Sequence, residues 1–155
     1  MSRRSEITMS DAEVIAFLSE ERVLTVASLG RDGWPHLMPL WYVVRDGEPW
    51  ATTYAKSQKV RNLERDPRCT LQVEAGDTYA DLRGVMVKAE AELVRDAALV
   101  EELERAVFLR YHGREPDQQE AAGLVRQAPK RVALRFALGE RASWDHRKLA
   151  AVRPT

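Results

Sequence analysis

Between residues 54 and 67 the chain reads Tyr54-Ala55-Lys56-Ser57-Gln58-Lys59-Val60-Arg61-Asn62-Leu63-Glu64-Arg65-Asp66-Pro67. A strand-like run, Pro49 to Tyr54, gives way to Ser57, a residue type that caps helices. The helix it opens carries Lys59 and Arg61 close to its start. A helix N-terminus is the positive end of the macrodipole, so cations are poorly placed there unless an anion sits with them. Free backbone N–H groups together with Lys56, Lys59 and Arg61 would suit a phosphate. A solvated basic turn ending at Asp66-Pro67 fits the same residues, and this stretch alone leaves both readings open.

A second segment that could hold a ligand is Trp34-Pro35-His36-Leu37-Met38-Pro39-Leu40-Trp41-Tyr42. Proline inside a strand removes a ladder donor and belongs at edges or bulges. Pro39 therefore predicts a local bulge with free backbone groups, against which a planar heteroaromatic ring can lie. An aromatic core strand at a barrel rim is the alternative. The Asp46-Gly47 turn predicts a hairpin that brings the helix start after Tyr54 near Pro39. A ring plus a phosphate tail is the shape of flavin mononucleotide (FMN) or a deazaflavin.

Other chemistries find few residues. His36, His112 and His146 are far apart and lack zinc-type spacing, so no metal site is expected. Cys69 alternates with core residues and reads as a small buried hydrophobe. There is no G-x-S-x-G elbow, P-loop or G-x-G-x-x-G. No side chain stands out as catalytic; if the protein is an enzyme, a cofactor carries the reaction.

Lysine plus arginine and aspartate plus glutamate are both 24 in 155 residues, so the formal net charge is zero. That balance, with no basic stripe, argues against nucleic acid. No apolar run approaches the roughly 20 residues that span a bilayer, and Arg3-Arg4 is followed by no apolar signal region. A lone cysteine fits a reducing compartment, so a cytoplasmic, membrane-free protein is expected.

One domain over 1–155 is expected, with a loose arm at 1–9 and a tail at 140–155. Ser10-Asp11-Ala12-Glu13 is a capping box opening a helix from Asp11 to about Glu20. Strands are predicted at Val23–Leu29, Pro35–Val44, Pro49–Tyr54, Arg68–Glu74, about Val85–Leu93 and Val132–Leu138. Helices follow Ser57, span about Asp96–His112 and cover about Asp117–Gln127. The fold class is mainly β with helices: six antiparallel strands, the first three in a meander, closing into a small barrel. Such a barrel is filled by its own side chains, so a cofactor must lie outside it or between subunits.

These residues resemble a known family. The order is Arg22-Val23-Leu24-Thr25-Val26-Ala27, Gly33-x-Pro35-His36, Pro39-Leu40-Trp41-Tyr42, then Lys59-Val60-Arg61-Asn62-Leu63-x-x-Asp66-Pro67-Arg68 and Gly84-x-Met86-Val87. It is similar to the split β-barrel flavin and deazaflavin oxidoreductases, the pyridoxamine 5′-phosphate oxidase-like proteins. The ending Ser143-Trp144-Asp145-His146-Arg147-Lys148-Leu149 looks like the actinobacterial branch that uses coenzyme F-420. The longer arginine-bearing C-terminal motif of true pyridoxamine phosphate oxidases is not found.

The resemblance implies a homodimer with cofactor sites between barrels, and hydride transfer from reduced F-420 to an unsaturated small molecule. FMN, or a non-enzymatic flavin- or tetrapyrrole-binding role, is the alternative. Carried onto this chain, Lys56, Ser57 and Lys59 would hold the phosphate and Arg61 would meet the anionic tail. The Pro39-Leu40-Trp41 backbone would border the ring, Thr52 and Thr53 the floor, and Tyr79 and Trp144 would close the partner's site.

Overall fold

The computed structural model describes residues 2–151. The elements are α1 (Arg3–Ile7), α2 (Asp11–Glu20), β1 (Leu24–Leu29), β2 (Pro35–Leu40), β3 (Val43–Arg45), β4 (Glu48–Tyr54) and α3 (Gln58–Arg65). There follow β5 (Arg68–Ala75), β6 (Arg83–Val94), α4 (Ala97–His112), α5 (Gln118–Gln127), β7 (Arg131–Asp145) and α6 (Arg147–Ala151). The strands form one antiparallel sheet in the order β2-β1-β5-β6-β7-β4-β3, curled into a half-barrel. Among the described residues no helix is long and apolar enough to cross a membrane.

The curl follows from alternation. Leu24 and Val26 of β1, Leu71 and Val73 of β5, and Val85 and Val87 of β6 point inward and are buried, and α2 closes the core with Val14, Phe17 and Leu18. The Ser10 capping box is present, with Glu13 N–H bonded to Ser10 Oγ and Ser10 N–H to Glu13 Oε2. The hairpin turn is also as expected: Asp46 and Gly47 have φ of 51° and 75°, the left-handed pair a type I′ turn needs.

Three expectations need correction. The sheet has seven strands rather than six, because the stretch predicted as one strand over Pro35–Val44 breaks at Trp41-Tyr42. There the Tyr42 backbone leaves the ladder: its N–H donates to the Tyr111 hydroxyl at 3.1 Å, and its carbonyl accepts from the Arg110 guanidinium. Consequently β2 and β3 lie at opposite ends of the sheet, and the expected three-strand meander does not form. Second, Pro39 causes no bulge. The β1–β2 register runs unbroken from Leu24↔Leu40 to Leu29↔Pro35, and β2 accommodates its prolines by being an edge strand. Third, the arm and tail are largely structured. Residues 3–7 form α1, β7 continues to Asp145 and α6 follows; residues 152–155 of the expected tail lie outside the described residues.

The extension of β7 has a packing cause. Trp144 lies opposite Gly84 of β6, and a Cβ on Gly84 would sit 2.1 Å from Trp144 Cζ2. Only glycine lets the indole cover the strand. Gly84→Ala should therefore destabilise the protein by about 1–3 kcal/mol, the usual cost of overpacking, measured by urea unfolding.

Cys69 is buried, and burial pushes its thiol up to about 12. The native chain should react with maleimide at pH 8 about a thousandfold more slowly than the unfolded chain, because so little thiolate is present. Equal rates would place Cys69 in solvent.

Candidate functional site

Helix α3 is short, and only one face of it is buried: Lys59, Val60, Asn62 and Leu63. Asn62 at 0% exposure ties the helix to β1 through Ser28 Oγ at 3.1 Å. Turning this face inward carries Lys59 with it. Lys59 is 7% exposed, and its ammonium donates to Thr53 Oγ1 at 2.9 Å. No carboxylate is its ion-pair partner among the described residues. Burial holds its pKa below the ordinary lysine value, and Arg131 lowers it further by repulsion. A buried ammonium without a counter-charge is costly.

Ser57 occupies the N-cap position of α3 with extended backbone, yet its side chain caps nothing. Its Oγ is buried and has no hydrogen-bond partner. The first turn of the helix contains no acidic residue. The start of α3 therefore combines unmet N–H donors, an unused hydroxyl and a buried cation, and all three would be satisfied by an oxyanion.

Lys59 opens into a cleft of about 430 Å³. One wall is Pro39, Leu40 and Trp41, at the point where β2 ends. The floor is Thr52 and Thr53 of β4, and the far side is Glu104 of α4 and Arg131 of β7. Because β2 pairs only with β1, its outer edge presents backbone groups with no ladder partner beside this wall. Trp41 is 52% exposed and stacks on Tyr111 with ring centroids 4.4 Å apart. Phe108 and His112, themselves stacked at 4.0 Å, form the roof with Val107.

The charged floor is bonded as a unit. Arg131 Nε lies 2.9 Å from Glu104 Oε1, an ion pair by distance although not aligned as a hydrogen bond. The same guanidinium donates to the Thr52 carbonyl and hydroxyl, each at 3.3 Å, and the Thr52 hydroxyl donates to Glu104. A larger groove of about 740 Å³ at the end of the barrel is lined by Ala27, Cys69, Ala89 and Leu138 among others. Its cations, Arg68 and Lys88, are paired with Asp66 and Glu140, whereas the smaller cleft borders the buried Lys59 that has no carboxylate partner among the described residues, so the smaller cleft is the better candidate.

Of the residues singled out from sequence, the structure brings Pro39, Leu40, Trp41, Thr52, Thr53 and Lys59 into one cleft. Ser57 sits at the helix start beside them. Lys56 and Arg61 are exposed and do not border the cleft. Tyr79, 73% exposed, and Trp144 lie elsewhere, at the β6–β7 end, where Tyr79 packs on His146 at 4.5 Å. Glu104, Phe108 and Arg131 were not singled out, and His112 was weighed only as a metal ligand. Glu104 had a signal: it interrupts the apolar stripe Val100, Leu103, Val107 and Phe108 at i+4 and i−3 spacings, where a charge is out of place. Arg131 had none, being one cation among several near a strand start.

Among the described residues no group of three or more His, Cys, Asp or Glu is placed to hold a metal ion. No curated protein sequence matches the chain significantly. Among solved structures, a conserved hypothetical protein, Rv2991 from Mycobacterium tuberculosis, is 40% identical and aligns over 100% of this chain and 96% of its own, with a TM-score of 0.87. An F-420 reductase is 21% identical over 81% of this chain and 93% of its own, with a TM-score of 0.65. An FAD-binding protein from Mesorhizobium loti is 20% identical over 88% and 94%, with a TM-score of 0.67. The last two likenesses establish the fold. Residues 10–145 match the pyridoxamine 5′-phosphate oxidase family. That match covers most of the chain, and with the curled sheet and the cleft at its split it makes this protein a member of the pyridoxamine 5′-phosphate oxidase family, with the split-barrel oxidoreductase fold of that family.

Proposed function

We propose that the protein is an oxidoreductase that uses reduced coenzyme F-420 to reduce an unsaturated small molecule. The observation that carries this reading is the buried Lys59 ammonium, unmatched by a carboxylate, beside the unpaired Ser57 Oγ and across a cleft from the free edge of β2. These residues fit a ring cofactor with a phosphate. Lys59, Thr53 and the start of α3 would hold the phosphate, and the backbone at Pro39–Trp41 would border the ring. Phe108 and Val107 cover the cleft and would exclude water from it. The cofactor, when bound, supplies the hydride. No side chain here is assigned as an acid; solvent at the open side of the cleft would complete the reduction.

The likeness to an F-420 reductase favours the deazaflavin over FMN, which carries a phosphate at the same place and stays as the second reading. We take the working form to be a homodimer in a cytoplasmic setting. Leu37 and Met86, 60% and 37% exposed, lie on the outer face of the sheet and would be covered by a second copy. Tyr79, and Trp144 by the part of its indole not packed on Gly84, both remote from their own cleft, would then help close the partner's.

Titration of the protein with F-420 and with FMN, followed by fluorescence, tests this. Saturable micromolar binding of F-420 with weaker FMN binding is expected, followed by turnover of unsaturated acceptors. The opposite preference would assign a flavin oxidoreductase. Binding of neither would make the start of α3 an ordinary basic turn.

A further inference from the structure

Two cations and one carboxylate line the cleft, with Arg131 in contact with Glu104 and Lys59 bonded to Thr53. Lys59 and Arg131 bring two positive charges, and Glu104, 15% exposed at its side chain, takes one away. The other titratable side chains bordering the cleft, Tyr54 and His112, are both exposed. Glu104 does not arise from the sheet. It is placed by α4, whose Val100 and Leu103 are fully buried against Val43 and Ala133, so the carboxylate cannot easily withdraw. An apolar residue would pack at this point of the helix. A fixed carboxylate beside an anion site works against anions, and it works harder against two charges than against one.

The two candidate cofactors differ in that respect. The phosphate of FMN is a monoester and carries a charge of roughly −1.5 to −2 at neutral pH, with its second pKa near 6. The phosphate of F-420 is a diester, joined onward to the lactyl tail, and carries a single charge. We infer that Glu104 is a specificity residue that holds the anion site at one net positive charge, matching a phosphodiester and rejecting a phosphomonoester dianion. This rests on the phosphate assignment above and adds to it the residue that selects the ligand. Arg131 serves as a second anion-binding cation, kept in place by Glu104 and Thr52.

The test is a charge series read as the ratio of the dissociation constants for FMN and F-420. A unit charge about 6 Å away at an effective dielectric constant of about 20 changes affinity roughly tenfold to a hundredfold. Glu104→Gln should lower the FMN-to-F-420 ratio by about tenfold or more. Arg131→Gln should raise it by a similar factor. The double variant Glu104→Gln/Arg131→Gln restores the net charge and should return the ratio to the wild-type value. A structural role for the ion pair would change stability and weaken both ligands together, leaving the ratio in place. If Glu104→Gln fails to fold, the double variant, which leaves no unpaired arginine, and Arg131→Gln still decide. A ratio within about twofold of wild type in Arg131→Gln or Glu104→Gln, or a large shift in the double variant, overturns the inference. Wild-type binding of F-420 with an immovable ratio removes only this inference; binding of neither cofactor removes the proposed function as well.

Discussion

Lys59→Ala should weaken binding of the phosphate-bearing cofactor by about 1.5–3 kcal/mol, the scale of a charge-assisted hydrogen bond. Isothermal titration of the variant against F-420 and FMN measures it, and unchanged affinity would remove the phosphate from this site. The same residue sets the alkaline limit. Its ammonium is held below the ordinary lysine pKa by burial, with Arg131 adding repulsion. Affinity should fall as pH rises through that lowered value, earlier than for a solvated lysine. Folding responds with the opposite sign. Between the lowered folded pKa and the ordinary unfolded one, the unfolded chain binds more protons, so apo stability rises with pH across that window. At neutral pH the buried charge is a cost. Lys59→Met should accordingly unfold at higher temperature than the wild-type apo protein while losing cofactor affinity, a separation of stability from function.

Arg110→Ala should cost about 3 kcal/mol or more of folding stability and disturb the cleft from a distance. The Arg110 guanidinium donates to the carbonyls of Leu18 at 3.1 Å and Ser19 at 2.9 Å, and also to those of Glu21 and Tyr42. It lies 4.6 Å above the Tyr42 ring as well. Removing it breaks four charge-assisted hydrogen bonds at once: the half-buried Glu21 carbonyl loses its donor, and the Leu18 and Tyr42 carbonyls keep only the Tyr42 and Tyr111 hydroxyls, respectively. Each lost bond costs roughly 1–3 kcal/mol before relaxation or water access reduces the sum. Arg110→Lys should recover only part of the loss, because one ammonium cannot span the fork of acceptors. Urea unfolding gives the stability. The cofactor titration should show weaker binding too, since Arg110 fixes the break that aims Pro39–Trp41 at the cleft. Loss of stability with affinity untouched would show that the wall of the cleft stands without this pin.

The parts legible from sequence were those specified by local chemistry. Alternation gave the inward faces of β5 and β6, the Ser10 box gave α2, and Asp46-Gly47 gave the hairpin. The helix after Ser57 was legible from its cap residue, whereas the burial of Lys59 on one face with Val60, Asn62 and Leu63 emerges only in the structure. What stayed hidden depends on partners distant in sequence. Trp41-Tyr42 continues a strand pattern, and only the side chains of Arg110 and Tyr111, some seventy positions later, take its backbone out of the ladder. The bulge expected at Pro39 failed for a related reason: whether a strand is an edge is a property of the sheet order, which no local pattern carries. Glu104 and Arg131 meet only because α4 packs across β4 and β7, so their pairing was invisible while the stripe that Glu104 interrupts was not.

The sheet order also governs when the cleft comes into being during folding. Its floor strand β4 finds its long partner only in β7, pairing Thr52 with Ala133 and Thr53 with Val132, about eighty residues downstream. Until β7 docks, β4 has only the three-residue β3 beside it, and Thr53, Lys59 and Arg131 have no reason to converge. Pairings of such separation are slow to form because the loop must close before its contacts reward it. The cofactor therefore cannot template an early intermediate. It meets a nearly complete chain, and its binding should act mainly by slowing unfolding, lengthening the lifetime of the native state with little effect on the rate at which that state is reached.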